Sequence, residues 1–188
     1  MSTVIIRAQD CRPVAWKSGR GVTREIAVHP AGADIEHFIW RTSVAEVNSD
    51  APFSSFPSVD RHIVLIDGAG FTMTLDDARA HALDTPFVPF AFAGESTVAV
   101  ALTSGPTRDF NLMVRRANAS GEVVVLREPG AHHLDATTVL LYAAQGEVKT
   151  RDGTLQAGDS YLVAGAASDP VTVGKDSIAL VIRIRLKA

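Results

Sequence analysis

Short runs of branched and aromatic residues, cut every few positions by Gly, Pro, Asp or Ser, most limit the folds open to this chain. Residues 23–29, 38–44, 62–66, 71–75, 97–102 and 111–114 read as strands. So do 122–126, 139–143, 146–150, 160–164, 171–173 and 178–186. Such side chains fit a pleated surface, and breakers at this interval end a segment before a helix of useful length can form. Only residues 76–83 carry a helical signal, because Asp76 and Asp77 suit a helix's first turn. The pattern predicts an all-β sandwich or barrel.

The pattern also repeats weakly. His62-Ile63-Val64-Leu65-Ile66 enters the turn Asp67-Gly68-Ala69-Gly70 and then a second strand. Val139-Leu140-Leu141-Tyr142-Ala143 enters Ala144-Gln145-Gly146 and does the same. A later turn follows in each case, Phe92-Ala93-Gly94-Glu95 in one and Ala157-Gly158-Asp159 in the other. Strand, glycine turn, strand, loop and a Gly-acid turn form the rhythm of a cupin, a double-stranded β-helix of jelly-roll type. Two copies make a bicupin, with approximate halves at 1–126 and 137–188 and a connection at 127–136 around Pro129-Gly130. Either half alone leaves an open sheet edge, so the expectation is one fused unit over 1–188.

Composition narrows the function classes. At 188 residues and 46% hydrophobic the chain can bury a core without staples. A net charge of −3 argues against a direct nucleic-acid partner held by a basic field. The single cysteine, Cys11, forbids an internal disulfide framework and suits a reducing compartment. No stretch approaches the roughly 20 apolar residues of a membrane-spanning helix, and the start lacks a signal-peptide pattern. The expected location is the cytoplasm, with no membrane partner.

One segment has binding chemistry. Trp40-Arg41-Thr42-Ser43 is followed by Pro52-Phe53-Ser54-Ser55-Phe56-Pro57-Ser58-Val59-Asp60-Arg61. A guanidinium forks onto a carboxylate, hydroxyls adjust the fit and aromatic faces exclude water, so this set suits a small planar anion. Trp16-Lys17-Ser18-Gly19-Arg20-Gly21-Val22-Thr23-Arg24-Glu25 reads either as a loop capping a pocket, with Trp16 as a wall and Thr23 and Glu25 facing in, or as a hairpin whose tryptophan fills the core. Alternation in 109–116 puts Asp109, Asn111, Met113 and Arg115 on one strand face. That row is either a half-exposed surface or a donor, an acceptor and a charge lining a barrel.

The residues give little sign of catalysis or metal binding. His29, His37, His62, His81, His132 and His133 contain no closely spaced pair followed by a carboxylate of the kind metal-binding cupins use. His132 and His133 are adjacent and would face opposite ways in a strand. No cofactor is expected. Ser43, Ser54 and Ser55 lack a nucleophile elbow. The expectation is a binding protein with no catalytic residues. The alternative is a metal-independent isomerase or lyase using Asp109 or Glu25 as a general base.

Four ordered motifs carry a resemblance: Trp-Lys-x-Gly-x-Gly-x-Thr-x-Glu-Ile from Trp16, Trp-Arg-x-Ser-x-Ala from Trp40, Pro-Phe-Ser-x-Phe-Pro-x-x-Asp-Arg from Pro52, and Asp-x-Asn-x-Met-x-Arg-Arg from Asp109. Together they resemble the signature of the HutD/Ves family. The resemblance implies a bicupin fold and a governing role in bacterial histidine utilization through binding urocanate or a related intermediate such as formiminoglutamate. By the same resemblance, Trp40, Arg41, Ser43, Phe53, Ser54, Phe56 and Arg61 fall in the family's pocket motif. Asp109, Asn111 and Arg115 match the later motif, and Trp16, Gly19, Gly21, Thr23 and Glu25 the first. Ala51 and Ser58 stand where the family often has glycine, and Ser18 and Arg20 replace what is often Asn and Gly. Paired cupin sheets further suggest a homodimer.

Overall fold

The computed structural model describes residues 3–16, 19–163 and 169–187. Its strands are β1 (Val4–Ile6), β2 (Pro13–Ala15), β3 (Gly21–His29), β4 (Trp40–Val47), β5 (Val59–Asp67) and β6 (Phe71–Leu75). Next come β7 (Arg79–Leu83), β8 (Pro89–Ala93), β9 (Val98–Leu102), β10 (Thr107–Arg115), β11 (Ala119–Leu126) and β12 (Gly130–Leu134). The last are β13 (Thr138–Gln145), β14 (Glu147–Thr150), β15 (Gly153–Gln156), β16 (Ser160–Leu162), β17 (Asp169–Val173) and β18 (Ile178–Leu186). Among the described residues there is no α-helix, and so none long and apolar enough to cross a membrane.

Two compact units form, each from two sheets as the bicupin reading requires. One is Arg12–Ser120 with Lys187–Ala188; the other joins Met1–Cys11 to Gly121–Leu186. In the first, a sheet ordered β2-β3-β4-β10-β5-β8 faces a smaller sheet ordered β7-β6-β9. Val47, Ile63 and Leu65 from the larger sheet pack with Phe71, Met73, Leu75 and Val98 from the smaller one. Burial of this kind contributes about 1.5–3 kcal/mol per large side chain and sets the strand faces. In the second unit, β1-β16-β13-β18-β11 faces β12-β17-β14-β15 around Leu141, Val148, Leu155, Tyr161 and Val181.

Three expectations change. Residues 76–83 are not helical: Asp76 and Asp77 take left-handed φ of 51° and 53° and turn β6 into β7. The Asp76 carboxylate accepts the Thr97 backbone N–H at 2.9 Å instead of capping a helix. Asp tolerates this backbone because its short polar side chain bonds locally. The 127–136 stretch is not a simple connection, since β12 pairs with β17 from Gly130↔Val173 to Leu134↔Asp169. Finally, residues 3–11 lie with the C-terminal unit rather than the N-terminal one, because β1 adds to β16 through Val4↔Leu162.

Candidate functional site

The register of the larger sheet in the Arg12–Ser120 unit assembles the site. Residues directly opposite in antiparallel strands share a face. β10 sits between β4 and β5, so Asn111 lies across from Ser43 and Ile63, and Met113 from Arg41 and Arg61. Asp109 lies across from Ala45 and Leu65. β3 extends the rows, with Thr23 opposite Ala45 and Glu25 opposite Ser43. A bulge between Glu25 and Ala27 then breaks the alternation. One face of four strands therefore carries Thr23, Glu25, Arg41, Ser43, Arg61, Asp109 and Asn111.

These side chains line a cavity of about 760 Å³, closed on one side by Trp16, Pro52, Phe53, Ser54 and Phe56. The volume is that of a small-molecule site. Residues 52–56 form no strand but are fastened by backbone bonds, Phe53 N–H to Val98 O at 2.9 Å and Phe56 N–H to Gly94 O at 2.7 Å. Gly94 permits this close approach, since a Cβ there would lie 2.6 Å from Phe56 O and 2.8 Å from Val59 O. Trp16 is half-buried, donates its indole N–H to Thr23 Oγ1 at 2.7 Å and meets Phe53 edge-on. It is thus both a cavity wall and a packing partner of the core, and both readings of its segment apply. Lys17 and Ser18 of that segment lie outside the described residues.

Arg61 is the electrostatic centre. Its guanidinium carbon lies 4.9 Å from the Phe92 ring centroid, 5.1 Å from that of Phe53 and 5.6 Å from that of Phe56. Aromatic faces attract a cation and exclude its water. Arg61 Nη2 donates to Asn111 Oδ1 at 3.0 Å, and Asn111 Nδ2 donates in turn to Asp109 Oδ1. Burial pushes the Arg61 guanidinium down to about 10, against the attraction of Asp109 and with the repulsion of Arg41. Burial pushes the Asp109 carboxyl up to about 7, against the Asn111 bond and the Arg61 charge. Near neutrality Arg61 thus keeps its charge while Asp109 titrates. Arg41 is differently placed, because its Nε already donates to Glu25 Oε2 at 2.6 Å.

The sheet and the loop segments beside it bring together Trp16, Thr23, Glu25, Arg41, Ser43, Phe53, Ser54, Phe56, Arg61, Asp109 and Asn111. Two expected residues lie elsewhere. Trp40 is buried and stacks on His29 with centroids 5.7 Å apart. Adjacent strand residues face opposite ways, so Trp40 and Arg41 cannot share the cavity face. Arg115 shares the Asp109 row, but at the strand's end it donates to Phe38 O at 3.1 Å and Glu36 O at 2.6 Å. It anchors a loop there. The sequence reading put Met113 on the Asp109 face without naming it as a site residue, and it missed Ala45, Ala15, Ile35 and Val14 as lining residues. Alternation from Ser43 would have found Ala45. Ile35 comes from a loop and Val14 from a short edge strand, and neither has a local signal.

Residues 8–181 match the HutD family. The chain belongs to the HutD family. A Pseudomonas putida relative, an uncharacterized 21.2 kDa protein in the hutC 3′ region, is 34% identical over 77% of this chain and 75% of its own length. HutD from Pseudomonas fluorescens SBW25, solved in a formate condition, is 32% identical over 100% of both chains, with a TM-score of 0.87. A cupin 2 conserved barrel domain protein from Leptotrichia buccalis matches at a TM-score of 0.60 and 12% identity over 98% of this chain and 96% of its own, a likeness of fold alone. HutD membership ties the chain to a family associated with a histidine-utilization locus.

Proposed function

We propose that the cavity of the Arg12–Ser120 unit binds a small carboxylate, urocanate or a related intermediate such as formiminoglutamate, and that this binding governs histidine utilization without catalysis. The observation that carries the reading is Arg61. It is 5% exposed, enclosed by three phenylalanines, and its Nε has no hydrogen-bond partner among the described residues. A charged donor held this way gains most from a charge-assisted bond to an anion. The hutC-region name of the Pseudomonas putida relative supports placing that anion in histidine breakdown. Arg41, matched by Glu25, contributes orientation more than net charge.

Calorimetry with trans-urocanate, formiminoglutamate and histidine tests the binding; no heat with any of them refutes it. Deleting the gene in a host grown on histidine tests the governing role. Unchanged activity of the histidine-degrading enzymes refutes that part.

One observation favours a second reading. Asp109 sits in the cavity with its carboxyl pushed up to about 7, suited to a general base in a metal-independent isomerase or lyase. Glu25 fits that role less well, being paired to Arg41. Proton exchange into bound urocanate, followed by NMR in deuterated water, would establish it.

A further inference from the structure

Two residues that line the cavity each hold a buried polar atom without a hydrogen-bond partner among the described residues, Arg61 Nε and Asp109 Oδ2. Both belong to side chains more than nine-tenths buried, 5% exposed for Arg61 and 0% for Asp109. Buried polar atoms are almost always satisfied, so an unsatisfied pair at a cavity marks where an occupant completes the bonding. The pair is also opposite in kind.

The relay between them fixes what each end offers. A guanidinium can only donate, so the Asn111 oxygen must face Arg61 Nη2, as it does at 3.0 Å. That turns the Asn111 amide nitrogen toward Asp109, whose Oδ1 accepts from it. The amide cannot flip without setting donor against donor. Asp109 Oδ2 is therefore left as an acceptor, while the Arg61 end takes an anion. The charged groups around Asp109 are Arg61 on β5, Arg41 on β4 and Glu25 on β3, with Arg41 already bonded to Glu25. The lining residues from β2 and from 52–56 carry no titratable group.

We infer that Asp109 determines the ligand class of this cavity, selecting carboxylates that bear a second, hydrogen-bond-donating group over carboxylates that do not. The inference rests on the carboxylate-binding reading above. A heteroaromatic N–H, an amine or an amidine satisfies Asp109 Oδ2. A purely apolar far end leaves it unbonded, and a second anionic group opposes it. Asp109 thereby acts on specificity while Arg61 acts on affinity for all carboxylates.

The experiment is calorimetry at pH 8 with trans-3-(pyrrol-2-yl)acrylate and trans-cinnamate, which share an acrylate arm; the pyrrole ring offers an N–H and no acceptor nitrogen, and the phenyl ring offers neither. Wild-type protein is expected to prefer the pyrrole ligand at least tenfold. In Asp109→Asn the relay forces the introduced amide to turn its oxygen to Asn111 and its NH2 into the cavity. The acceptor becomes a donor, so the preference collapses to about twofold or less while cinnamate binds as well as before or better. Equal wild-type affinities, an Asp109→Asn variant that keeps the preference, or one that loses both ligands in parallel each overturns the inference while leaving carboxylate binding intact. Wild-type protein that binds neither ligand overturns both readings.

If Asp109→Asn does not fold, the wild-type pH profile decides. Protonating Asp109 removes the charge that strengthens its bond to a ligand N–H, so the preference for the pyrrole ligand over cinnamate should fall at least threefold from pH 8.5 to pH 6. A flat profile overturns the inference.

Discussion

Replacing Asp109 by asparagine should stabilise the ligand-free protein at pH 8.5 and leave it almost unchanged at pH 4. Burial pushes the Asp109 carboxyl from 3.8 up to about 7 in the folded protein. Below 3.8 the group is protonated whether the chain is folded or not, and it costs nothing. Between 3.8 and about 7 the unfolded chain has released the proton and the native state still holds it, so each rise in pH favours unfolding. Above about 7 both states are ionised and the native state carries the whole cost of a buried charge. Each tenfold difference in proton affinity is worth about 1.4 kcal/mol, so the full gap corresponds to about 4 kcal/mol, net of the attraction to Arg61. Water in the cavity reduces this, and the expected gain at pH 8.5 is about 2–4 kcal/mol. The asparagine keeps the shape and still accepts the Asn111 bond. Urea unfolding at pH 4, 5.5, 7 and 8.5, followed by tryptophan fluorescence, measures it, because Trp16 and Trp40 both report on the Arg12–Ser120 unit. A gain independent of pH, or destabilisation at pH 8.5, would refute the account of Asp109 as a strained buried acid.

Arg61→Ala should weaken carboxylate binding about tenfold to a hundredfold, the worth of a charge-assisted bond of about 1.5–3 kcal/mol; unchanged calorimetric affinity in a folded variant removes Arg61 from the site. Gly94→Ala should cost about 1–3 kcal/mol by overpacking, since its Cβ would collide with Phe56 O and Val59 O. It should also loosen the aromatic enclosure of Arg61, and an unshifted urea midpoint contradicts this. Ser58→Gly should stabilise by about 0.5–1 kcal/mol, because Ser58 has a left-handed φ of 62° that costs an L-residue more than it costs glycine. A fall in melting temperature would count against that strain.

Much of the fold was legible because alternation is local. Strands β3, β5, β6, β9, β10 and β18 follow from β-branched and aromatic runs whose period is visible within five to nine residues. Strands β1, β2, β7, β8, β12 and β15 were missed. They are short or edge-like, and their pairing partners rather than their side chains make them strands. The 76–83 segment shows the failure most clearly. Its aspartates suit a helix start and a left-handed turn equally, and only the pairing of β7 to β6 decides between them.

The candidate site divides the same way. By itself the sequence determined the strand periods, the glycines that allow close approach and the ordered motifs that carry the family resemblance, because these depend on residue type and short spacing. Alternation within β10 placed Asp109 and Asn111 on one face, and the same rule applied to β4 would have separated Arg41 from Trp40, which the motif reading placed together. Only the tertiary structure decided that Arg41 is neutralised by Glu25, that Arg115 turns away to hold Glu36 and Phe38, and that Arg61 reaches Asp109 through Asn111. Those outcomes depend on register between strands far apart in the chain. A shift of one residue would send every one of these side chains to the other face, and no local signal fixes it.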